Sequence, residues 1–254
     1  KFPKISVGAT QNILMAASLA SGKSTLKNCA IEPEVIDLIN FLNKCGALIK
    51  VKNRTITVRG AEELKLQDYK VIPDRIEAGS YILATMATKG RLKLNNFNPK
   101  DLALPLKLYK GMGLKIKKLS NSSYEIYCKT LKPIKKISTK EFPGYPTDLQ
   151  AQLIATQLKS GLKSKVVENI FENRFIHIPE LRRFGANLSI KGNTVIIDKT
   201  SNLLGAEVMA TDIRASFSLI IAAMMSKGKT VINRIYHLDR GYEDFDLKLK
   251  KCGV

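Results

Sequence analysis

Apolar and polar positions along the chain repeat one phrase four times. An apolar stretch at helical spacing runs into a small-residue turn with a glycine, and a short β-rich stretch follows, starting near residues 10, 78, 148 and 212. The turn glycines Gly22, Gly90, Gly161 and Gly228 are spaced 68, 71 and 67 residues apart. A second phrase, a helix ending in glycine and giving way to a strand, puts Gly46, Gly113, Gly185 and Gly253 at spacings of 67, 72 and 68. Two independent landmarks keep one register, so the chain is an internal repeat of units of about 70 residues.

Each unit reads as helix, strand, helix, strand, turn, strand, with a further strand before the next copy. In the first, residues 11–19 predict a helix and 25–29 a strand. Residues 34–44 predict a second helix, because Val35, Leu38, Ile39 and Leu42 share a face and Gly46 follows in the helix-ending position. Residues 47–51 and 55–58 alternate around Lys52, Asn53 and Arg54 as a hairpin. Helices interleaved with strands in every unit give an α/β architecture of packed, pseudo-equivalent units. The register is irregular at both ends. The chain opens at Lys1 without Met and stops at Val254, where earlier units go on into a hairpin, so the expectation is a portion of a longer chain with an open strand edge at Val254.

Composition then narrows the classes. With 254 residues, 44% hydrophobic and 25% charged, the chain is globular and long enough for one large or two medium domains. The segment richest in apolar residues, 216–225, is broken at once by Ser226, Lys227, Gly228 and Lys229, far short of the ~20 residues of a membrane span. Cys29, Cys45, Cys128 and Cys252 are scattered, without a CxxC pair, which points to a reducing, cytoplasmic setting. The net charge of +20 invites a nucleic-acid reading, yet 32 of the 42 cations are lysines spread over the whole length and Trp is absent. Solvated lysines on outward faces account for it better, and a positive field also helps capture a small anionic substrate.

Several motifs resemble chemistry without carrying it. Ser21-Gly22-Lys23-Ser24-Thr25 looks like the end of a phosphate loop, but that loop needs a glycine where Ala17 stands, a strand before and a helix after. Lys89-Gly90-Arg91 and Lys227-Gly228-Lys229 identify it as the repeat's turn. His177 and His237 lie 60 residues apart with no partner at ligand spacing, so no metal is expected. Cys45 and Cys252 share a repeat position before glycine, which suits a small buried side chain at a helix end. No cysteine has an activating neighbour.

Departures between copies are more informative, because a residue the repeat does not require needs another reason. The third copy opens on Thr147-Asp148 and the fourth on Thr211-Asp212, each at a predicted helix start. Either aspartate could cap its helix or face a ligand there. Arg240, in a loop before the next helix, carries a guanidinium able to pair bidentately with carboxylate or phosphate, or is simply a surface cation.

Longer phrases around these positions end the anonymity of the pattern. They are Ile5-Ser6-Val7-Gly8-Ala9-Thr10, Pro73-Asp74-Arg75-Ile76-Glu77, Pro146-Thr147-Asp148-Leu149-Gln150-Ala151-Gln152, Ile170-Phe171-Glu172-Asn173-Arg174-Phe175, Met209-Ala210-Thr211-Asp212-Ile213-Arg214 and Leu238-Asp239-Arg240-Gly241-Tyr242-Glu243. Together, from Lys4 to Val254, they resemble the UDP-N-acetylglucosamine 1-carboxyvinyltransferase family of enolpyruvyl transferases, which begins bacterial peptidoglycan synthesis. The sister shikimate-pathway transferases share the repeat fold but not the phrases at 146–152 and 171–175.

The resemblance implies an inside-out α/β barrel fold of six such units in two domains, with the active site in the cleft between them. Residues 1–70 would be the last unit of the UDP-sugar and catalytic-loop domain, and residues 71–254 the second domain of three units, the last truncated. The implied reaction moves the enolpyruvyl group of phosphoenolpyruvate to the 3'-hydroxyl of UDP-N-acetylglucosamine through a tetrahedral adduct that loses phosphate, with no organic cofactor or metal. Carried over by position, Asp148 is the candidate general base beside the sugar hydroxyl. Arg240 would hold phosphoenolpyruvate, Lys4, Ile5, Ser6 and Val7 the uridine diphosphate, and Ile170 the nucleotide sugar. Asp212 and Arg214 would support the cleft; Glu172 and Arg174 are motif members to which the sequence assigns no role. The family's reactive cysteine loop would lie before Lys1. The expected partners are thus two small molecules, with neither nucleic acid nor membrane. Three readings stand: an enolpyruvyl transferase without its N-terminal portion, an inactive fragment that only folds or binds nucleotide sugar, and a nucleic-acid-binding repeat protein.

Overall fold

A computed structural model of the chain describes residues 1–253, in two compact units. The first comprises residues 1–73 with 141–143. Its elements are α1 (Val7–Ser18), β1 (Lys23–Lys27), α2 (Pro33–Lys44), β2 (Leu48–Lys52) and β3 (Thr55–Arg59). β3 lies between β1 and β2, antiparallel to both, so the hairpin closes with Lys52 opposite Thr55. Residues 21–25 run into strand β1, not into a helix, so the lookalike phosphate loop lacks the helix it would need. α1 begins four residues earlier than the apolar pattern predicts. The Ser6 hydroxyl accepts from the Ala9 amide at 3.2 Å and caps a first turn whose small residues carry no apolar period. Leu14, Val35, Ile39, Leu42, Ile56 and Val58 form the core, while Lys23, Lys27, Lys50, Lys52 and Arg59 are exposed on the strands.

The second unit, residues 74–140 and 144 onward, holds three copies of the phrase. The first copy is α3 (Arg75–Ala87), β4 (Arg91–Leu94), α4 (Ala103–Gly111), β5 (Leu114–Lys118) and β6 (Tyr124–Cys128), with sheet order β4-β6-β5. The next is β7 (Lys136–Ser138), α5 (Gln150–Gln157), β8 (Ser164–Val167), α6 (Ile178–Arg183), β9 (Leu188–Lys191) and β10 (Thr194–Ile197), ordered β7-β8-β10-β9. The last is β11 (Glu207–Met209), α7 (Ile213–Met225), β12 (Val231–Asn233), α8 (Tyr236–Asp239) and α9 (Phe245–Lys251), with β11 and β12 parallel. The further strand expected before each copy is present as β7 and β11; residues 60–74, before the second copy, form none. Gly46, Gly113, Gly185 and Gly253 all adopt positive φ just past a helix, the left-handed stop that the second landmark implied.

Helices are inside this unit and sheets outside. α3, α5 and α7 pack on one another, every residue of α5 is buried, and polar side chains on these helices bond within the bundle, as Thr156 Oγ1 does to the Leu83 carbonyl at 3.2 Å. Tyr81 meets Phe217 edge-on, and Phe217 stacks on Tyr242 at 4.6 Å. Gly79 lets α3 approach the start of α5, since a Cβ there would lie 2.6 Å from Leu149 Cδ1. No described helix is long and apolar enough to cross a membrane. One expectation fails: Cys45 is buried but Cys252 is exposed, at the end of α9, which buries none of its residues. Val254, the expected open edge, lies outside the described residues.

Candidate active site

The start of α5 departs from the other repeat helices. Ser6, Asp74 and Asp212 each stand sixteen residues ahead of their turn glycine and cap their helix with a side-chain oxygen; Asp148 stands thirteen ahead of Gly161 and caps nothing. Residues Thr147–Leu149 form a 3-10 turn opened by Pro146. That turn is pinned from the inside, with Leu149 fully buried against Gly79 and its carbonyl accepting from the Tyr145 hydroxyl at 3.2 Å. The Asp148 carboxylate is thereby left free for side chains.

Two guanidiniums take it. Arg174 Nη2 donates to Asp148 Oδ1 at 2.6 Å, and Arg214 Nε lies 3.4 Å from Oδ2. The other arm of the Arg174 fork donates to Thr147 Oγ1 at 2.6 Å, and its plane rests on the Phe171 ring at 4.9 Å. Arg214, on the first turn of α7, sits 5.7 Å above the Tyr242 ring. Tyr242 is held in turn by Ser80 Oγ at 2.8 Å and Gln152 Nε2 at 3.2 Å. Burial alone would raise the Asp148 carboxyl, but Arg214 and Arg174 outweigh it and hold the group below its usual range. It therefore stands ionised at neutral pH.

Asp148, Arg174, Asp212, Arg214, His237 and Arg240 line one open cavity of about 560 Å³. Arg214 Nη1 and Thr211 Oγ1 are buried there without a hydrogen-bond partner among the described residues, and Arg240 is exposed at the mouth. The uncommitted groups are mostly donors, two of them cationic, which suits an anionic ligand beside a carboxylate able to accept a proton. Burial depresses His177 to about 4; Asp212 opposes that and Arg174 adds to it, so the imidazole is neutral.

The sequence-derived candidates are partly assembled. Asp148, Asp212, Arg214 and Arg240 come together in the cavity, with Asp212 also capping α7 through the Arg214 and Ala215 amides at 2.8 Å each. Ile170 is half-buried and does not line it. Lys4, Ile5, Ser6 and Val7 belong to the first unit at the start of α1, where Ser6 is the cap. Sequence reasoning gave no role to Arg174 or Thr147 and passed over Glu168. A lone acid directly after the apolar strand residues 166–167 was the available signal for Glu168.

The chain is similar to known proteins over its whole length. The family profile described as EPSP synthase (3-phosphoshikimate 1-carboxyvinyltransferase) matches residues 1–249. A UDP-N-acetylglucosamine 1-carboxyvinyltransferase of Pelagibacter ubique (strain HTCC1062) is 52% identical across 100% of this chain, and one of Rickettsia akari (strain Hartford) 46% identical across 100%. The chain spans 61% and 60% of those curated relatives. Among solved structures, the enolpyruvyl transferase NikO from Streptomyces tendae is 26% identical with a TM-score of 0.85, covering 96% of this chain and 58% of that one. An EPSP synthase from Acinetobacter baumannii, 16% identical, shares the fold with a TM-score of 0.72 over 98% of this chain and 60% of its own.

Proposed function

The chain belongs to the EPSP synthase family of carboxyvinyl transferases, and from that premise we propose that the protein carrying it transfers the enolpyruvyl group of phosphoenolpyruvate to the 3'-hydroxyl of UDP-N-acetylglucosamine. The nucleotide-sugar acceptor is favoured over a shikimate one by the identity of 46–52% to UDP-N-acetylglucosamine 1-carboxyvinyltransferases. On this reading the protein opens peptidoglycan synthesis in the cytoplasm and so bears on cell shape and division, and its partners are two small anions. Residues 1–70 are assigned to the last unit of the UDP-sugar domain and residues 71–254 to the second domain, although the first compact unit also takes in residues 71–73 and 141–143.

The observation that carries the reading is an ionised carboxylate, Asp148, held at the edge of a cavity whose spare groups include guanidiniums. In the proposed reaction the acceptor oxygen bonds to C2 of phosphoenolpyruvate while C3 gains a proton. The tetrahedral adduct then loses phosphate and a C3 proton, leaving the enolpyruvyl ether. Asp148 orients the acceptor hydroxyl and takes its proton; Arg240 holds the phosphoenolpyruvate anion. Arg214 and Asp212 fix the cavity wall from the start of α7. Lys4, Ile5, Ser6 and Val7, with Ile170, are assigned to the nucleotide sugar. The balance of these bonds calls for no redox cofactor. The test is phosphate release from the two substrates by the protein as its gene makes it, with Asp148→Asn alongside. A variant as fast as the parent removes Asp148 from the mechanism.

A further inference from the structure

Glu168 is 2% exposed, one residue beyond β8, and four donors converge on its carboxylate. Oε1 accepts from Thr139 Oγ1 at 2.9 Å, the Ile170 amide at 2.8 Å and the Phe171 amide at 3.1 Å; Oε2 accepts from Thr147 Oγ1 at 2.8 Å. A threonine hydroxyl has one proton to give, and a guanidinium has none of its lone pairs to offer. Thr147 therefore accepts from Arg174 Nη1 at 2.6 Å, and its own proton goes to Glu168. Thr139 is oriented in the same way, accepting from the Asn169 amide at 2.8 Å while donating to Glu168.

We infer that Glu168 is a positioning residue of the transferase site: by taking the Thr147 proton it turns the Thr147 oxygen toward Arg174, and so sets the guanidinium that holds Asp148. The inference rests on the reading of Asp148 as the proton acceptor. Glu168 reaches the chemistry through two intermediaries, and the same carboxylate folds the 168–171 backbone that carries Phe171 beneath Arg174. Supporting groups of this kind decide whether a reacting carboxylate stands within reach of its substrate, and a misplacement of about 1 Å costs on the order of 10²-fold in rate.

Glu168→Gln is the direct test. With two backbone amides aimed at Oε1, the glutamine keeps its oxygen there and points its NH2 at Thr147, whose hydroxyl then has no acceptor. The expected result is turnover reduced about 10²-fold with the affinity for each substrate, measured by calorimetry, close to the parent's. Thr147→Val should reproduce the loss and Thr147→Ser should recover most of it. The double variant Glu168→Gln with Thr147→Val should be no slower than either single one, since both act through one contact. Turnover near the parent rate in Glu168→Gln, losses that multiply in the double variant, or a serine that rescues nothing would each overturn the inference. A readout independent of turnover is the Asp148 carboxyl titration followed by carbon NMR. Its midpoint should rise in Glu168→Gln as Arg174 loosens while Arg214, Asp212, Glu172, His237 and Arg240 remain around it. An unmoved midpoint rejects the role of Glu168 even if the parent released no phosphate, an outcome that would reject only the transferase reading.

Discussion

Thr147-Asp148 and Thr211-Asp212 are the same dipeptide at the start of two packed helices, and they do different work. Asp212 has extended backbone and turns its carboxylate onto two amides of its own helix. Asp148 sits inside a 3-10 turn, where its carboxylate finds no amide to cap and meets Arg174 and Arg214 instead. The difference arises in the neighbours. Buried Leu149 and Tyr145 fix the turn, and an arginine from a loop 26 residues on completes it. Composition at a helix start therefore does not decide whether an acid is structural; the register of the first turn does.

The comparison breaks most sharply at Asp148 itself. Asp148→Asn should retain the circular dichroism spectrum and nucleotide-sugar binding while turnover falls by ~10²–10⁴-fold, as for loss of a positioned base. A variant whose turnover survives would make the two aspartates equivalent after all. Next in size is Arg240→Lys, which keeps the charge but not the fork. The phosphoenolpyruvate requirement should rise about 10-fold or more while nucleotide-sugar affinity holds. Separate calorimetric titrations decide it, and equal weakening of both substrates would mean a general loss of the cavity.

Asp212→Ala sharpens the other side. Loss of a cap costs about 1 kcal/mol, seen as a melting temperature lower by about 2–4 °C in a protein of this size; an unchanged melting curve would deny the capping role. The smallest expected change is in pH dependence. Because paired arginines lower the Asp148 pKa, the carboxylate stays charged as pH falls through the ordinary carboxylate range, and its contribution to stability is lost only as pH drops through the depressed value. Arg174→Gln removes one of those cations, so the acid limb of kcat/KM should move to higher pH. Superimposable limbs in parent and variant would show that Arg174 does not tune the group.

Much of the fold was legible because it is periodic. The two glycine series marked turns and helix ends, and Val35, Ile39 and Leu42 predicted the buried face of α2. What escaped was what periodicity does not encode. α1 starts at Val7 because a serine hydroxyl caps it, not because apolar spacing begins there. In the site, Asp148 and Arg240 stood out as departures from the repeat, whereas Arg174 and Glu168 act through partners 26 and 21 residues away that only the folded turn brings near. The exposed Cys252 shows the reverse error: repeat position was carried to a helix, α9, that buries none of its residues.

The placement of helices within and sheets without in the second unit also sets which parts of it breathe. In many mixed folds a central sheet guards its amide protons longest. Here Leu83, Ile154 and Leu219 lie on helices enclosed by their neighbours, whereas β5 and β9 are edge strands on which only Leu114 and Leu188 are buried. Local openings release edges before cores, so deuterium should enter β5 and β9 well before α3, α5 and α7. The 3-10 turn that leads into α5 and the first turn of α7, which carry Asp148 and Arg214, would then hang from the slowest-exchanging part of the chain, and Arg240 from a faster one.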